Sequence, residues 1–423
     1  MSGLRICMVT TFYPPYNFGG DGIGVQRLSR ALARRGHEVT VVHDTDGFRA
    51  LHRGSITERP ELDSDEGVRV IRLHSRLGVL SPLLVQQFGR PMLHASRLRQ
   101  LLAPGQFDVV NFHNVSLIGG PGILRYPRDA VTLYMAHEHW LVCPTHVLWR
   151  FRRERCDRKK CVRCSLTYHR PPQLWRYTGV LQRAIRHVDC VIAMSEFSRD
   201  KHREFGLQQP MEVLPYFLPD STPAGDASPV SPRARPYFFF AGRLERIKGL
   251  DDVIPVFRNI PEVDLVIAGD GDHAPELRAL AAGMSNVHFI GRLAPEALAD
   301  YYHHALACLV PSVCYETFGI VLIEAFRQGT PVIARRLGPF PEMIGRSGAG
   351  ALFTTPDELV VALRQFRDDP AYRKDLAGNA RRAVTEHWTE SVVVPGYLEL
   401  VRKSAVRRGH QGVLASLASE ESL

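Results

Sequence analysis

Short apolar runs alternate with amphipathic stretches along most of the chain. The first run, Leu4–Thr10, precedes a Gly-rich turn and a stretch in which Val25, Leu28 and Leu32 share one helical face. Gly36 follows, and glycine commonly ends a helix because it adopts the left-handed conformation without steric cost. This alternation of buried strands and helices predicts a parallel sheet covered by helices.

The same pattern occurs twice, so we predict an α/β protein with two Rossmann-like domains. In the first half the predicted strands are Leu4–Thr10, Glu38–His43, Val68–Leu73, Asp108–His113, Ala130–Ala136, Cys190–Met194 and Met211–Leu214. In the second half they are Tyr237–Ala241, Asp264–Ala268, Val287–Ile290, Ala307–Val310 and Pro331–Ala334. Helices are predicted over Leu83–Leu102, Gly249–Asn259, Ala274–Ala282, Asp357–Arg367, Tyr372–His387 and Ser391–Ala405.

The segment between the two halves sets the predicted domain boundaries. Leu218–Pro236 contains several Pro, Ser and Ala residues without periodicity, which indicates a linker. We therefore predict an N-terminal domain over residues 1–217, a linker over 218–235 and a C-terminal domain over 236–390. A helix over 391–408 is expected to cross back toward the N-terminal domain, and residues 409–423 are expected to form a flexible tail.

Length and hydropathy agree with this division. A chain of 423 residues is too long for one hydrophobic core and suits two domains of about 200 residues. No apolar run reaches the ~20 residues that cross a bilayer, and the N-terminal apolar run looks like a strand rather than a leader peptide. We therefore expect a cytoplasmic protein, and peripheral contact with the inner face of a membrane is an open alternative.

The formal net charge of +9 is concentrated in one segment. Residues 150–170 contain nine Lys or Arg residues and only two acids. This segment is interpreted either as a solvated loop or as a patch for anionic lipid headgroups or an anionic acceptor. Nucleic acid is not expected as a partner, because no recognition motif accompanies the charge.

The eight cysteines fall into two groups. One group lies in or beside predicted strands, where cysteine usually acts as a small buried apolar residue; it comprises Cys7, Cys190, Cys308 and Cys314. The other group lies in a Cys-rich basic insertion over about residues 140–170 and comprises Cys143, Cys156, Cys161 and Cys164. The spacing of the second group fits a structural zinc site, with an iron–sulfur cluster or four free thiols as the alternatives.

The strongest candidate for chemistry is the run from Glu316 to Glu324. Phe318-Gly319 suits a turn, and a helix that begins near Ile320 places Glu324 one turn into that helix. Backbone N–H groups at such a helix start attract an anion such as a diphosphate. The alternative is a solvated acid followed by a glutamate that the helix dipole favours.

A second candidate is Gly242–Gly249, directly after the first predicted strand of the C-terminal domain. Arg243 and Lys248 leave a strand end there, which is where open α/β sheets bind ligands. Fixed cations at this place would stabilise a diphosphate leaving group and replace a metal ion. Two solvated basic residues in a loop are the alternative.

Together these segments resemble the retaining glycosyltransferases of the large family 4, which have the two-domain GT-B fold with the active site between the domains. The resemblance covers nearly the whole chain and rests on Gly19-Gly20, His113, Ser195–Arg199, Gly242–Gly249, Gly269–Gly271 and Glu316–Glu324. It implies that Arg243 and Lys248 bind the donor diphosphate, with Phe318, Gly319 and Ile320 at the helix start beside it. It also implies that Glu316 contacts the donor sugar and Glu324 the ribose. Gly271 and Arg292 would lie near the nucleotide base.

In the first domain the resemblance singles out two places. Gly19 and Gly20 would allow close approach of a phosphate or sugar, although a plain tight turn is the alternative. His113 ends a predicted strand and would face the reacting sugar, and His137 and Tyr216 are further candidates on the acceptor side.

Three departures from the family pattern stand beside these positions. Asn111 replaces a histidine that the family often has. Pro215–Leu218 replaces a Pro-Asn-Gly turn. Gly338–Glu342 stands where the family has Gly-Gly before Pro-Glu. The second departure leaves the geometry of the acceptor side open, and the third leaves open which hydroxyls of the donor sugar are recognised.

The expected function is transfer of a sugar from a nucleotide-diphosphate sugar, with retention and without a metal ion in catalysis. His113, Arg243, Lys248 and Glu316 are the predicted catalytic residues. The expected acceptor is a sugar, a lipid-linked molecule or another small molecule, as in polysaccharide or glycolipid synthesis. The alternatives are a nucleotide-sugar epimerase or hydrolase on the same fold, and a non-catalytic sugar-nucleotide binding module.

Overall fold

The computed structural model describes residues 3–52, 63–220 and 230–420. It divides into two compact units. The first unit comprises Met1–Tyr216 and Val393–Leu423, and the second comprises Phe217–Val392. Of the predicted linker, residues 221–229 lie outside the described residues.

The first unit is built on an eight-stranded sheet. The strands of this unit are β1 (Arg5–Val9), β2 (Glu38–Asp44), β3 (Ser64–Asp65), β4 (Val68–Leu73), β5 (Val109–Phe112), β6 (Val131–Ala136), β7 (Trp149–Arg150), β8 (Glu154–Arg155), β9 (Cys190–Ala193) and β10 (Met211–Val213). The sheet order is β10-β9-β6-β5-β1-β2-β4-β3, while β7 and β8 form a separate antiparallel hairpin. All pairs in the large sheet are parallel except β3 with β4. Every residue of β5 and β6 is buried, as expected where helices cover both faces of a parallel sheet.

Seven α-helices accompany these strands in the first part of the chain. They are α1 (Gly20–Arg34), α2 (Thr45–Leu51), α3 (Leu80–Phe88), α4 (Ala95–Leu101), α5 (Cys161–Thr167), α6 (Val180–Ile185) and α7 (Glu196–Glu204). The single helix predicted over Leu83–Leu102 is wrong. Gly89 takes a left-handed φ of 64° and ends α3, and Pro91 precedes a 3₁₀ turn, Met92–His94, that leads into α4. Glycine permits this conformation and proline lacks the N–H that a continuous helix needs, so the helix is broken there.

The second unit contains a six-stranded parallel sheet. Its strands are β11 (Tyr237–Ala241), β12 (Asp264–Ala268), β13 (Val287–Gly291), β14 (Cys308–Val310), β15 (Val332–Arg335) and β16 (Gly350–Phe353), in the order β13-β12-β11-β14-β15-β16. Its helices are α8 (Leu250–Val253), α9 (Ala274–Leu280), α10 (Pro295–His304), α11 (Ile320–Arg327), α12 (Phe340–Ser347), α13 (Pro356–Asp368) and α14 (Pro370–His387). The helix predicted over Gly249–Asn259 is shorter than expected, because α8 passes into a 3₁₀ segment, Ile254–Asn259, that contains Pro255.

Two further helices, α15 (Glu390–Arg408) and α16 (Gln411–Glu420), follow. From Val393 onward they belong to the first unit, where Asn111 of β5 donates a 3.3 Å hydrogen bond to the Tyr397 hydroxyl. The tail from Gly409, expected to be flexible, contains α16. Val413 and Leu417, one helical turn apart, are both buried.

The expected α/β fold with two Rossmann-like units is confirmed by these two largely parallel sheets. Parallel sheets bind ligands beyond the carboxyl ends of their strands, so the loops after β1, β5, β6, β11, β12 and β14 are the relevant ones. In the part of the chain that the structure describes, no helix combines the length and apolar character needed to cross a membrane. Cys7, Cys190, Cys308 and Cys314 are all buried, as predicted.

Candidate active site

Two loops of the second unit come into backbone contact through Gly249. This residue has a left-handed φ of 74°, and a Cβ on it would lie 2.2 Å from the Pro311 carbonyl oxygen. Beside it, the backbone N–H of Val313 donates to the Ile247 carbonyl at 2.9 Å. Only glycine fits this position without displacement, and its presence brings the loop after β11 against the loop after β14.

This contact places Lys248 beside Glu316. The ammonium of Lys248 donates to Glu316 Oε1 at 2.7 Å, and the Ser312 hydroxyl donates to the same oxygen at 3.0 Å. Burial acts to raise the pKa of Glu316, but the charge and hydrogen bond of Lys248 outweigh it and hold that pKa below its usual value. Burial acts to lower the pKa of Lys248, and the Glu316 charge raises it above its usual value. Both side chains are therefore ionised at neutral pH.

Arg243 supplies a second cation to the same loop. Its guanidinium lies 2.7 Å from a Glu245 carboxylate oxygen, and its side chain is about half exposed, at 51%. Its positive charge also acts to lower the pKa values of Glu316 and Lys248. The loop thus holds one largely enclosed cation, Lys248, and one accessible cation, Arg243. Together they provide positive charge that can bind an anionic group.

The start of α11 lies in the loop that carries Glu316. Gly319 is the N-cap residue of α11, and a Cβ there would lie 2.7 Å from a Leu322 methyl carbon. Phe318 before it is buried, and Ile320 is the first helical residue, as predicted. Glu324 lies one turn further and is partly exposed. Because Gly319 has no side chain, the start of α11 has no side-chain cap. Backbone N–H groups at the first turn of such a helix can bind anions.

Gly271 and Arg292 follow neighbouring strands of the same sheet. A Cβ on Gly271 would lie 2.4 Å from the Leu244 carbonyl oxygen, so the loop after β12 closes tightly on the loop after β11. Arg292 comes directly after Gly291, whose carbonyl accepts a 2.7 Å hydrogen bond from the Gly269 N–H. The side chain of Arg292 is exposed. Both predicted base contacts thus lie at the carboxyl edge of the sheet that carries Lys248.

In the first unit the structure brings His113, His137 and Tyr216 into one hydrogen-bonded chain. His113 Nδ1 lies 2.8 Å from His137 Nε2, and His137 Nδ1 bonds the Tyr216 hydroxyl. His113 Nε2 lies 3.4 Å from the sulfur of Met8 on β1. His113 is only 1% exposed, so it forms the inner end of the chain, and the other two side chains are 8% exposed.

Burial keeps every member of this chain uncharged at neutral pH. It lowers the pKa of His113 well below the usual value, with a contribution from His137. It lowers the pKa of His137 to about 4, and it raises the pKa of Tyr216 well above the usual value. The three groups can relay or orient a hydrogen bond, but they do not supply a charge.

Gly19 and Gly20 lie at the start of α1. Gly19 is the N-cap residue, and among the described residues a Cβ there would meet no atom within 4 Å. Gly20, the first residue of α1, is exposed. The side chain of Asn17 donates to the Gly19 carbonyl at 2.6 Å and shapes the turn. Protein packing therefore does not require glycine at 19, and the space beside it is open to a ligand.

The zinc hypothesis for the second cysteine group receives no support. That group is Cys143, Cys156, Cys161 and Cys164. In residues 3–52, 63–220 and 230–420, no three of these sulfurs lie within 4.8 Å of one another. The Cys143 sulfur lies 3.3 Å from the Thr145 hydroxyl, and the Cys156 thiol donates to the Arg158 carbonyl at 3.5 Å. Burial and the neighbouring thiols raise the pKa of Cys156 to about 12.

The basic insertion is partly ordered by its own two acids. Arg150 pairs with Glu154 at 2.9 Å and with Asp157 at 2.5 Å. Most other Lys and Arg side chains of residues 150–170 are exposed. That exposure fits both a solvated segment and an anion-binding patch, so the membrane contact stays a prediction.

Two family models match the chain. The model described as Glycosyltransferase Family 4 matches residues 18–221, and the one described as Glycosyl transferases group 1 matches residues 224–383. Together they span residues 18–383 except 222–223. The chain is a family 4-type glycosyltransferase. The predicted enzyme class is therefore confirmed.

Relatives of this glycosyltransferase align along nearly their full length. Glycogen synthase of Mycobacterium tuberculosis is 27% identical over 433 residues, which cover 96% of each chain. An MMP α-(1→4)-mannosyltransferase of Mycolicibacterium hassiacum is 26% identical, over 92% of this chain and 96% of the relative. These names belong to the relatives.

Solved structures confirm the GT-B fold. Sucrose-phosphate synthase from Thermosynechococcus elongatus superposes with a TM-score of 0.72 at 22% identity, over 95% of this chain and 98% of that one. HepE of Anabaena, solved with UDP and glucose, gives a TM-score of 0.66 at 17% identity, over 94% and 99%.

Sequence reasoning missed several partners in this glycosyltransferase. Ser312, which donates to Glu316, carried no motif. The contact between His113 and His137 could have been predicted from the sequence, because both residues directly follow adjacent parallel strands, β5 and β6. Tyr216 was a candidate, but its contact with His137 joins positions 79 residues apart and was not predictable.

Proposed function

We propose that this glycosyltransferase moves a sugar from a nucleoside-diphosphate sugar to a carbohydrate or lipid-linked acceptor, with retention of anomeric configuration. The observation that carries the proposal is the Lys248–Glu316 ion pair beside Arg243 and the uncapped start of α11. These groups lie at the carboxyl edge of one parallel sheet, where ligands of such folds bind.

The proposed donor site lies in the second unit. Arg243, Lys248 and the N–H groups at Ile320 would hold the diphosphate, and they would stabilise the charge that develops on it when the sugar bond breaks. Glu316 would contact the donor sugar and Glu324 the ribose, with Gly271 and Arg292 near the base. HepE of Anabaena was solved with UDP and with UDP-glucose, which supports a nucleotide-sugar donor.

Retention is proposed from the resemblance to the retaining glycosyltransferases of family 4, and the state of Glu316 favours one of the two retaining routes. Its carboxylate accepts hydrogen bonds from Lys248 and Ser312 on a single oxygen, which makes it a weak nucleophile. We therefore propose same-face transfer through a short-lived ion pair. The sugar–phosphate bond breaks first, and the acceptor oxygen then bonds to the anomeric carbon on the same face while the departing diphosphate takes the acceptor proton.

The acceptor is proposed to bind the first unit. His137 and Tyr216 are its proposed contacts, and the His113–His137–Tyr216 chain would orient an acceptor hydroxyl or the reacting sugar. Gly19 and Gly20 at the start of α1 are proposed to approach a phosphate or sugar of the donor instead. A relative from Mycobacterium leprae is named phosphatidyl-myo-inositol mannosyltransferase, which supports a lipid-linked acceptor as one class. The exposed basic residues of the insertion would then face anionic headgroups.

The test begins with the donor. A thermal-shift screen of the purified protein against nucleoside diphosphates identifies the base, because a ligand that binds the native state raises the melting temperature. The matching nucleotide sugar is then incubated with and without candidate acceptors. We expect transfer that requires the acceptor. Consumption of donor at the same rate without acceptor would instead indicate a hydrolase, and conversion to another nucleotide sugar would indicate an epimerase.

A further inference from the structure

The first unit contains a buried cluster of two carboxylates and one imidazole, none of which belongs to the proposed donor site. Asp44 ends β2, Asp46 lies in α2 and His94 ends the 3₁₀ turn before α4. Asp44 and Asp46 are fully buried and His94 is 4% exposed. The junction of β2 with α2 and the turn before α4, which are distant in the sequence, therefore meet at these side chains.

The distances inside the cluster are too long for hydrogen bonds. His94 Nε2 lies 3.7 Å from Asp44 Oδ1 and 3.8 Å from Asp46 Oδ2. Among the residues that the structure describes, Nε2 of His94 has no hydrogen-bond partner. The same is true of Asp44 Oδ2 and Asp46 Oδ1. The carboxylate oxygens nearest Nε2 differ, because Asp44 Oδ1 accepts from the Asp46 N–H at 2.9 Å and Asp46 Oδ2 from the Ser75 N–H at 2.6 Å. Buried polar atoms nearly always have a partner, so the three unpartnered atoms of this cluster indicate a missing ligand.

Among the described residues, no Lys or Arg forms an ion pair with Asp44 or Asp46. The ion-pair partner of both carboxylates is the His94 imidazole, at 3.7 and 3.8 Å. The buried Asp264 of the second unit differs, because Arg233 at 3.2 Å and Arg235 at 3.1 Å pair with its carboxylate. Buried charges are costly unless paired or bound to a metal.

We propose that Asp44, Asp46 and His94 form a binding site for one divalent transition-metal ion. A divalent cation would neutralise the two carboxylates, and imidazole nitrogen together with carboxylate oxygen suits Zn²⁺ or Mn²⁺. Ligand atoms about 2.0–2.2 Å from such an ion lie roughly 3.3–3.8 Å apart in tetrahedral or trigonal arrangements. The separations of 3.7 and 3.8 Å fit that range.

The ion has a structural role at the base of the first loop. Asp44 donates its backbone N–H to the Thr11 carbonyl at 3.3 Å, and Asp46 Oδ2 accepts from the Ser75 N–H at 2.6 Å. The ion therefore ties the end of β2, α2 and the turn before α4 beneath the segment that follows β1. It is separate from the proposed diphosphate-binding cations, so the two proposals stand or fall independently.

The experiment uses the full-length protein, stripped with a chelator and titrated with Mn²⁺. Mn²⁺ is chosen because thiolates bind it weakly, which keeps the four insertion cysteines out of the result. We expect one tight site per chain, a melting temperature several degrees higher with Mn²⁺, and a ¹⁴N coupling from one imidazole in pulsed EPR. His94→Gln should weaken binding at least about tenfold and remove the nitrogen coupling.

The matched control is His288→Gln, which removes a histidine that lies 3.0 Å from Asp264 in the second unit. This variant should bind Mn²⁺ as the wild type does. Zn²⁺ binding is compared in a Cys161→Ser/Cys164→Ser background to exclude thiols. Absence of saturable binding of either metal to the folded wild type overturns the proposal, as does wild-type Mn²⁺ bound without nitrogen coupling. The wild-type measurements decide the matter even if His94→Gln does not fold.

Discussion

Replacing Lys248 with methionine is the sharpest perturbation of the proposed donor site. Methionine keeps most of the apolar stem of lysine but removes the ammonium that lies 2.7 Å from Glu316. The variant therefore leaves a partly buried carboxylate with the Ser312 hydroxyl and the more distant charge of Arg243. Both folding stability and turnover should fall, for separate reasons.

The expected stability loss follows from exposure. Breaking a fully buried ion pair costs about 3–5 kcal/mol, and an exposed pair contributes about 0.2–1 kcal/mol. The side chains of Lys248 and Glu316 are 22% and 25% exposed, so the screened loss should be about 2 kcal/mol. Arg402→Met is the control, because Arg402 pairs with Glu399 at 3.6 Å on α15 with both side chains exposed, at 38% and 45%. That control should lose no more than about 0.5 kcal/mol.

The pH dependence of this stability has a defined sign. The folded-state pKa of Glu316 is lowered, so its contribution is present above an unfolded value of about 4.3 and lost as pH falls through the folded value. The pKa of Lys248 is raised, so its contribution is present below about 10.4 and lost as pH rises through the folded value. The difference between wild type and Lys248→Met should therefore be greatest between those limits.

Turnover is measured with the identified donor and acceptor. Loss of one preorganised charge-stabilising group should lower kcat by about 10²–10³-fold. Denaturant unfolding of Lys248→Met, Glu316→Gln and the double variant gives the coupling between the two residues. A kcat near wild type, or a stability loss no greater than that of Arg402→Met, would refute the reasoning.

Three further predictions concern other parts of the molecule. Gly249→Ala should destabilise the second unit by more than about 1 kcal/mol in denaturant unfolding, because its Cβ would collide with the Pro311 carbonyl, whereas Gly345→Ala, with no atom near its Cβ, should not. Acid should destabilise the first unit between pH ~6.5 and about 4, because the folded state holds His137 neutral while the unfolded state binds a proton there. His137→Gln should reduce this acid-induced loss of stability, and a stability–pH profile unchanged by the substitution would contradict the prediction. Turnover should not depend on added Mg²⁺, because fixed cations occupy the proposed diphosphate site; activity that requires Mg²⁺ would disprove this.

The strands were the most predictable part of the fold. Tyr237–Ala241 and Asp264–Ala268 have the predicted bounds, because strands buried on both faces of a parallel sheet are continuous apolar runs. Helices were less predictable where Gly and Pro interrupt an apolar pattern, as at Gly89 and Pro91. The short strand Gly350–Phe353 was not predicted, and three of its four residues are only partly buried.

The candidate site was predictable residue by residue but not in its contacts. Motifs identified Lys248 and Glu316 separately, yet their ion pair joins positions 68 residues apart and depends on the contact at Gly249. Asp44 and His94 carried no motif at all, because their proximity arises only when β2 and the turn before α4 fold together. Pairing across such distances is set by tertiary structure, which local patterns do not contain.

The most direct test of the central claim is the anomeric configuration of the product. The purified protein is incubated with a nucleoside-diphosphate α-linked sugar and an acceptor, and the new linkage is read by ¹H NMR before any equilibration. Retaining transfer predicts an α-linked product in the wild type and at least about 10²-fold slower formation of the same product by Lys248→Met. A β-linked product, or an α-linked product formed equally fast by the variant, would contradict the account.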